Sequence, residues 1–230
     1  MNSAKSKKST KVSAKIFDDN SIIYDCVSFG GGVIVEPYAI VGIQDRFHPI
    51  GKVVIGVSAF IGSRCTIYAG VSAGDDLDVS DQSTIFTDNI LGHRVRIGPK
   101  AIIKNGCRIG NDVRINAQVF LERVVVEDFV FIGPHTVFAD DKHPPCPRYS
   151  ECVPKCHIES YVSIGANVTI GPGVRIGHHS QIYSGAVVIK DVPPNSVVAG
   201  NPARFVKHFD ELVCSAGLFE RPFDWWANKS

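Results

Sequence analysis

The residue types best suited to chemistry concentrate in one segment, ADDKHPPCPRYSECVPKCH, at residues 139–157. Histidine titrates near neutrality, so a loop histidine such as His143 can serve as a general base. The segment is rich in proline, charge and cysteine, whereas the sequence on either side of it is regular. A long irregular loop is either a site of ligand contacts or an inert surface connection, and we expect ligand contacts here.

The same segment holds a candidate set of soft metal ligands. Cys146, Cys152, Cys156 and His157 are separated by five, three and no intervening residues. This spacing differs from the paired C-x-x-C of a zinc knuckle, and adjacent Cys156 and His157 suit a single tetrahedral site poorly. We therefore expect no metal, and reduced cysteines that pack the loop; stoichiometric zinc in an elemental analysis would contradict this expectation.

The sequence around the loop repeats with a period of six residues. Eleven of the twelve residues at every sixth position from Ile55 to Leu121 are Ile, Leu or Val, and glycine often follows them. An amphipathic helix has a period of about 3.6 residues and a half-buried strand a period of two, so neither explains the pattern. A short strand followed by a tight corner does explain it, and three such units make a coil of 18 residues. Glycine suits a corner because it reaches backbone conformations that a Cβ would obstruct.

The repeat predicts an all-β fold, a parallel β-helix whose large aliphatic side chains stack inside a triangular prism. Residues 43–53 break the frame early, and the frame slips by one residue within Leu121–Val125. We expect a mobile basic tail (1–11), a β-helix domain (12–200) that carries the excursion loop 139–157, and a C-terminal region (201–230).

Asn201 followed by Pro202 predicts a short C-terminal helix, because asparagine caps helices and proline fits their first turn. One face of that helix would carry Phe205, Phe209, Leu212 and Val213. We expect it to cover the open end of the prism and the last backbone edge. The aromatic tail 216–230, which includes Trp225 and Trp226, is expected to pack on its own coil or on a neighbouring subunit.

Composition and charge exclude several classes of protein. With 44% hydrophobic and 20% charged residues, a chain of 230 residues is not intrinsically disordered as a whole. Lys and Arg number 24 and Asp and Glu 23, so the formal charge of +1 gives no reason to expect nucleic acid or a membrane as partner. No stretch approaches the roughly 20 apolar residues of a membrane span. Seven cysteines cannot all pair and no secretory signal is seen, so we expect reduced thiols and a cytoplasmic protein.

Two motifs resemble those of hexapeptide-repeat acyltransferases. The first is the excursion, IGPH at 132–135 followed by FADDKHP at 138–144, and the second is the ending, KDVPP at 190–194 followed by VAGNPAR at 198–204. The resemblance spans residues 55–207 and is greatest to N-acetyltransferases that modify amino sugars carried on nucleotides. It implies a left-handed β-helix, a homotrimer, acetyl-CoA as co-substrate and active sites in clefts between neighbouring prisms.

The resemblance also implies roles for residues of the excursion. In the galactoside and xenobiotic branches a histidine of this loop is the catalytic base, and His143 matches it by its place before Pro144. Asp141 would then orient His143 or contact the substrate. In the amino-sugar branches the stretch resembles TNDKYP, whereas this chain has ADDKHP, so the departing thiolate is an alternative acceptor for the proton. A structural role for His143, in shaping a proline turn, is the other alternative.

Further substrate contacts follow from the same comparison. Asn116 occupies a corner position where most repeats carry glycine, and the resemblance implies that it orients the amine or the carbonyl oxygen. A corner asparagine in a left-handed conformation is the structural alternative. The remaining expected substrate contacts are His135, Asp140 and Lys142, and His135 is also the second choice for the base.

The resemblance places CoA along the later coils, with its pantetheine arm against backbone amides. Small residues let the arm approach the backbone, and the matching positions are Gly165, Ala166, Ser184 and Gly185. Positive charge for the phosphates is expected from Lys190, Arg204 and Lys207. Solvated surface charges without a ligand are the alternative.

The expected activity is therefore transfer of an acyl group, acetyl by default, from CoA to the amino group of a nucleotide-linked amino sugar. O-acetylation of a sugar or other small acceptor, or a non-catalytic scaffolding subunit, are the alternatives. A γ-class carbonic anhydrase resembles this repeat but needs two zinc-binding histidines five residues apart, a spacing that no pair here has. A sugar nucleotidyltransferase would need a glycine-rich phosphate loop on an α/β domain before the prism.

Overall fold

The structure, a computed structural model, describes residues 16–46, 51–152, 154–220 and 222–223. The strands of the first half of the chain are β1 (Ile16–Phe17), β2 (Ile22–Ile23), β3 (Val27–Phe29), β4 (Ile34–Val35), β5 (Ile40–Ile43), β6 (Val53–Ile55), β7 (Phe60–Ile61), β8 (Thr66–Tyr68), β9 (Ser72–Ala73), β10 (Asp78–Val79), β11 (Thr84–Ile85), β12 (Ile90–Leu91), β13 (Arg96–Ile97) and β14 (Ile102–Ile103). The strands of the second half are β15 (Arg108–Ile109), β16 (Arg114–Ile115), β17 (Phe120–Leu121), β18 (Val124–Val126), β19 (Phe131–Ile132), β20 (Val137–Phe138), β21 (Cys156–Ile158), β22 (Ser163–Ile164), β23 (Thr169–Ile170), β24 (Arg175–Ile176), β25 (Gln181–Ile182), β26 (Val187–Val188), β27 (Ser196–Ala199) and β28 (Arg204–His208). The helices are α1 (Tyr149–Cys152) and one turn of 3-10 helix at Phe209–Glu211.

These strands form the three faces of a prism. Sheet I begins with β1, β4 and β7 and ends with β27 and β28; sheet II runs from β2 to β26, and sheet III from β3 to β24. Every third strand along the chain joins the same face, and the three sheets contain 11, 9 and 8 strands. In a regular coil the paired residues are 18 apart, as Thr84 and Ile102 are. The prediction of an all-β, left-handed parallel β-helix is confirmed.

The residues of the six-residue repeat fill the interior of the prism. In most two-residue strands the first side chain points outward and the second is buried, as in Thr84 and Ile85. The largest fully buried side chains include Ile61, Ile67, Ile97 and Ile103, stacked coil upon coil. Burial of each such side chain contributes about 1.5–3 kcal/mol, so the column of aliphatic residues is the main stabilising element of the fold.

The glycine that follows the inward aliphatic residue is needed for a different reason from the expected one. The left-handed backbone conformation falls on Lys100, with a φ of 59°, two residues after Gly98. A Cβ on Gly98 would instead lie 2.6 Å from the backbone nitrogen of Ala117 in the next coil. Glycine is therefore required at this position because neighbouring coils approach closely, not because of its own φ.

Three departures from the regular coil leave the prism at the same edge, between sheet II and sheet III. The first lies between β5 and β6, and its residues 47–50 are outside the described residues. The second is the predicted frame slip, which places Glu122 and Arg123 between β17 and β18 and reduces the pairing offset to 17 residues, from Arg108 to Val125. The third is the excursion between β20 and β21, which begins after Phe138 as expected but ends at Lys155 because Cys156 already pairs in sheet III.

The expected C-terminal helix starting at Asn201 is wrong in position. Arg204–His208 is instead strand β28, which pairs antiparallel with β27. The outer edge of β27 needs hydrogen-bond partners, and β28 supplies them on both sides of one bulge between Val197 and Val198, which a helix would not. Of the expected apolar face, Leu212 is buried but Phe205 and Val213 are exposed.

The end of the chain is described only in part. Trp225 and Trp226 lie outside the described residues. Phe223 stacks on Phe209 with ring centroids 5.5 Å apart, in keeping with a tail that packs on its own coil. The expected tail at residues 1–11 also lies outside the described residues. In the part of the chain that the structure describes, no helix has the length and apolar character to cross a bilayer.

Candidate functional site

The expected site residues fall on two different edges of the prism. The I–II corner, where the chain passes from sheet I to sheet II, carries the expected contacts Asn116, His135, Gly165, Ala166, Ser184 and Gly185. The II–III corner, where the chain passes from sheet II to sheet III, carries the excursion with Asp140, Asp141, Lys142 and His143. Within one protomer, the whole width of sheet II therefore lies between the expected base and the expected CoA contacts.

The first turn of the excursion is organised by Asp141. Its Oδ1 accepts a hydrogen bond from the backbone N–H of His143 at 2.8 Å, and its Oδ2 accepts one from the N–H of Cys146 at 2.9 Å. Asp141 thus fixes the backbone that carries His143 rather than the imidazole ring. The ring of His143 is exposed and has no hydrogen-bond partner among the described residues, so both of its nitrogens can meet a ligand.

A pair of acidic side chains lies at the base of the excursion. Asp140 and Glu122 line one cavity of about 370 Å³ together with Asp141. Burial raises the pKa of the Glu122 carboxyl, and the negative charge of Asp140 adds to the rise. Burial also raises the pKa of Asp140, although the positive charge of Arg123 opposes it. Lys142, two residues along, is exposed.

A larger cavity of about 760 Å³ adjoins this one and shares Glu122 with it. It is lined by three basic side chains, Lys104, Arg123 and Lys155, and by Asn105. None of these four residues was predicted from the sequence as a site residue. For Arg123 the signal is the frame slip itself, because Glu122 and Arg123 are the residues at which the period of six fails.

On the I–II corner, Asn116 and His135 have distinct surroundings. The Asn116 Nδ2 donates a hydrogen bond to the carbonyl oxygen of Ile132 at 2.9 Å, so the amide group ties two coils together. Asn116 does not have the left-handed conformation, whereas His135 does, with a φ of 60°. The side chain of His135 is exposed on this edge.

The expected CoA contacts on the same corner are partly occupied by the protein itself. The N–H of Ala166 donates to Ser184 Oγ at 3.1 Å, and the N–H of Gly185 donates to the carbonyl oxygen of Ala166 at 2.8 Å. A Cβ on Gly165 would lie 2.6 Å from the nitrogen of Ser184, so this glycine is required by coil packing. The N–H of Ser184 has no acceptor among the described residues, and a Cβ on Gly185 would meet open space.

The three expected phosphate-binding residues do not converge. Arg204 pairs with Ala199 at the end of β27, which brings it to the I–II corner above Gly185. Lys207 pairs with Val197, farther back along the strand. Lys190 follows β26 and lies towards the II–III corner. Only Arg204 of the three shares an edge with the free Ser184 amide.

The cysteines and His157 do not assemble into one site. Cys156 is buried in β21, where its Sγ lies 3.3 Å from the carbonyl oxygen of Gly171. His157 points outward and its Nε2 lies 2.8 Å from a carboxylate oxygen of Glu127. Within the described ranges, no group of three or more His, Cys, Asp or Glu side chains is arranged to hold a metal ion.

The outer face of sheet II differs from the other two faces. Its outward residues, taken from β2 to β26, are Ile22, Ile40, Thr66, Thr84, Ile102, Phe120, Val137, Thr169 and Val187. None of these carries a charge, whereas sheet I exposes Arg96 and Arg114 and sheet III exposes Arg175. An uncharged face between the two candidate edges is suited to contact with another protein surface.

Comparison with known proteins agrees with this architecture. Residues 155–190 match the family model for the bacterial transferase hexapeptide (six repeats), and residues 52–80 match the hexapeptide repeat of succinyl-transferase. A UDP-N-acetylglucosamine acyltransferase from Campylobacter jejuni has the same fold, with 17% identity, a TM-score of 0.58, and coverage of 84% of this chain and 74% of that one.

Two curated relatives are more similar in sequence. A 2,3,4,5-tetrahydropyridine-2,6-dicarboxylate N-acetyltransferase from Brevibacillus brevis is 44% identical over 84 residues, which are 36% of this chain and 33% of that protein. The chain thus spans a third of that relative's length. A probable macrolide acetyltransferase from Lysinibacillus sphaericus is 34% identical over 145 residues, covering 61% of this chain and 77% of the relative. With a repeat, a fold and a relative matched over most of its length, the chain belongs to the hexapeptide-repeat acetyltransferase family.

Proposed function

We propose that the protein transfers an acetyl group from acetyl-CoA to the amino group of a nucleotide-linked amino sugar. The observation that carries this proposal is the excursion, which presents the unpartnered ring of His143 on a turn held by Asp141. The N-acetyltransferase activity named for the Brevibacillus relative supports an amine as acceptor.

The chemistry requires an unprotonated amine, a proton acceptor and donors for the developing oxyanion. The amine nitrogen attacks the thioester carbonyl, the C–S bond breaks, and CoA leaves as a thiolate. The imidazole of His143 accepts the proton that the amine loses and can return it to the thiolate. Asp141 acts through the backbone of the loop, as a positioning residue.

CoA is proposed to lie along the I–II corner. The free N–H of Ser184 is available to a carbonyl of the pantetheine arm, and the open space at Gly185 admits the arm close to the backbone. Arg204 lies on the same edge for the phosphates, while Lys190 and Lys207 would reach them only from neighbouring edges. Gly165 and Ala166 form the wall of this groove.

The active site is proposed to form between two copies of the chain in a homotrimer. A threefold axis brings unlike edges of neighbouring copies together. If the uncharged face of sheet II turns towards that axis, the II–III corner of one copy meets the I–II corner of the next. His143 of one copy would then face the Ser184 edge of another, where Asn116 Oδ1 and His135 contact the acceptor and Asp140 and Lys142 close it from the loop side.

The proposed compartment is the cytoplasm. All seven cysteines are unpaired thiols, which is typical of a reducing environment. Cys65 and Cys107 are buried inside the prism.

A hydroxyl acceptor is the second candidate. The Lysinibacillus relative is named for a macrolide, and a loop histidine is most needed where the nucleophile is a hydroxyl, a weaker nucleophile than an amine. The excursion loop can serve either acceptor, so assays with amino and hydroxyl acceptors distinguish the two functions.

The test is release of free thiol from acetyl-CoA with a panel of nucleotide-linked amino sugars and the matching hydroxyl sugars. We expect turnover with the amino sugars, and a loss of at least about tenfold in His143→Asn. His208→Asn, an exposed histidine on β28, is the matched control and should keep wild-type turnover. Unchanged turnover in His143→Asn would remove the base assignment, and no thiol release with any acceptor would favour a scaffolding role.

A further inference from the structure

The three departures from the repeat converge on a single cavity. Gly51, at the end of the first departure, Arg123, in the frame slip, and Lys155, at the end of the excursion, all line the space of about 760 Å³ at the II–III corner. These residues are up to about a hundred positions apart in sequence. A regular coil needs none of them, so packing of the prism does not explain their meeting.

Two of the basic groups in this cavity are held in place by uncharged partners. Lys155 Nζ donates to the carbonyl oxygen of Gly106 at 2.6 Å, and Lys104 Nζ lies 4.3 Å from the centroid of the Phe86 ring. Neither contact supplies a negative charge. Asp88, which also lines the cavity, is already paired with Arg108 at 2.9 Å. Glu122 is the other acidic side chain that lines the cavity, and the basic side chains outnumber it, so the cavity favours an anion.

The same region contains two hydrogen-bond acceptors that lack donors. Asn105 Oδ1 and Asp140 Oδ2 are buried, and each lacks a hydrogen-bond partner among the described residues. A buried polar atom without a partner costs free energy, so such an atom at a cavity indicates a ligand that donates to it. The missing donors are N–H or O–H groups.

We propose that the II–III corner cavity binds the acceptor by a phosphate at Lys104 and Lys155, and by its amino and hydroxyl groups at Asp140, Glu122 and Asn105. This inference rests on the proposed function, and it assigns a binding site to the substrate of that function. The larger cavity takes the phosphate. The smaller one, lined by Glu122 and Asp140 beneath the excursion, takes the amino group on the same side of the loop as the Asp141–His143 turn.

The site can be tested without acetyl-CoA by isothermal titration calorimetry. The probes are glucosamine 1-phosphate, which carries both the amine and the phosphate, and glucose 1-phosphate, which lacks the amine. We expect Lys104→Met and Lys155→Met each to weaken the binding of both probes at least about tenfold, because each removes a charge-assisted hydrogen bond. Asp140→Asn should weaken glucosamine 1-phosphate about tenfold and glucose 1-phosphate less than about twofold.

Arg96→Met is the matched control, because it removes one positive charge from the exposed outer face of sheet I. It should leave both affinities within about twofold of wild type, and thermal unfolding of each variant confirms that it is folded. Wild-type affinity in both lysine variants, or no binding of either probe to the wild-type protein, would overturn the inference. If the probes bind as expected but no thiol is released, this inference stands and the proposed function is contradicted. If thiol is released but the probes do not bind in the cavity, the proposed function stands and this inference is contradicted.

Discussion

The III–I corner, where the chain passes from sheet III to sheet I, is the self-sufficient edge of the prism. The N–H of His93 donates to the side-chain oxygen of Asn111, and the N–H of Asn111 donates to Asp128, one coil after another. Charged groups are paired along the same edge, as Arg94 is with Asp112 at 2.7 Å. The II–III corner contrasts with it, because buried oxygen atoms there lack donors and basic groups surround a cavity.

The difference between these corners lies in the regularity of the chain. At the III–I corner equivalent residues recur about 18 positions apart, so each coil supplies the partner that the previous coil needs. At the II–III corner the coils have unequal lengths, and the partner is missing or displaced. At the III–I corner successive coils satisfy each other's polar groups, whereas at the II–III corner Asn105 Oδ1 and Asp140 Oδ2 are buried without donors.

The largest expected effect comes from a matched pair of glycine substitutions. A Cβ on Gly110, at the III–I corner, would lie 2.8 Å from the backbone carbon of Glu127, so Gly110→Ala must separate two coils. We expect a loss of about 3 kcal/mol in the free energy of unfolding. At the II–III corner a Cβ on Gly106 would be 3.5 Å from Asp88, an ordinary contact, and only the φ of 75° opposes alanine. Gly106→Ala should therefore cost about 1–2 kcal/mol. Equal losses in urea unfolding would contradict the distinction.

The next two substitutions, Glu159→Gln and Glu122→Gln, are expected to change stability in opposite directions at the two corners. Burial opposes ionisation of Glu159, but hydrogen bonds from the His178 N–H and from Arg175 outweigh it and hold the pKa of Glu159 below its usual value. The stability that this provides is present above the unfolded pKa and is lost as the pH falls through the folded one. Glu159→Gln should cost about 1 kcal/mol at pH 7.

Glu122 at the II–III corner should respond in the opposite way. Burial, together with Asp140, raises the pKa of Glu122, so its ionised form opposes folding at neutral pH. Glu122→Gln should raise the midpoint of thermal unfolding at pH 7, and the gain should shrink as the pH falls and the wild-type carboxyl takes up a proton. A lower midpoint at pH 7 would mean that Glu122 is paired after all.

The smallest effect concerns acid sensitivity at the III–I corner. The ring of His179 stacks on Tyr161 at 4.8 Å and meets the edge of Phe209 at 6.2 Å, and its nitrogen lies 3.1 Å from that of His178. Burial lowers the pKa of His179, and the charge of His178 adds to this. The neutral ring is favoured in the folded state, so its contribution to stability is lost as the pH falls below about 6.5.

His179→Phe keeps the stacked ring and removes the proton site. We expect its midpoint of thermal unfolding to fall less than that of the wild-type protein between pH 7.5 and pH 5.5, by a few degrees at most. An identical fall in both proteins would show that the acid sensitivity originates elsewhere in the chain.

The position of His143 on an irregular loop was readable from the sequence, because a break in a strict period is a local property. The surroundings of Glu122 and Arg123 were not, although the slip at these residues was visible. The electrostatic interactions of Glu122 with Asp140 and Lys104 depend on how many residues each coil contains before and after the slip. The C-terminal strand was missed for a related reason: Asn201 and Pro202 signal a helix start locally, while β28 forms because β27 has a free edge.

The amino-acid pattern alone specifies a three-sided coil, the inward aliphatic column and the segment that leaves the prism. Each repeat unit is only six residues long, so local backbone geometry and the burial of its aliphatic side chain are sufficient to specify these features. The assignment of residues to edges required the folded chain. Three irregularities that are distant in sequence meet at the II–III corner, because the coils that carry them stack along one edge of the prism. The Ser184 amide lies across sheet II from His143, because the two residues come before and after strands of that sheet.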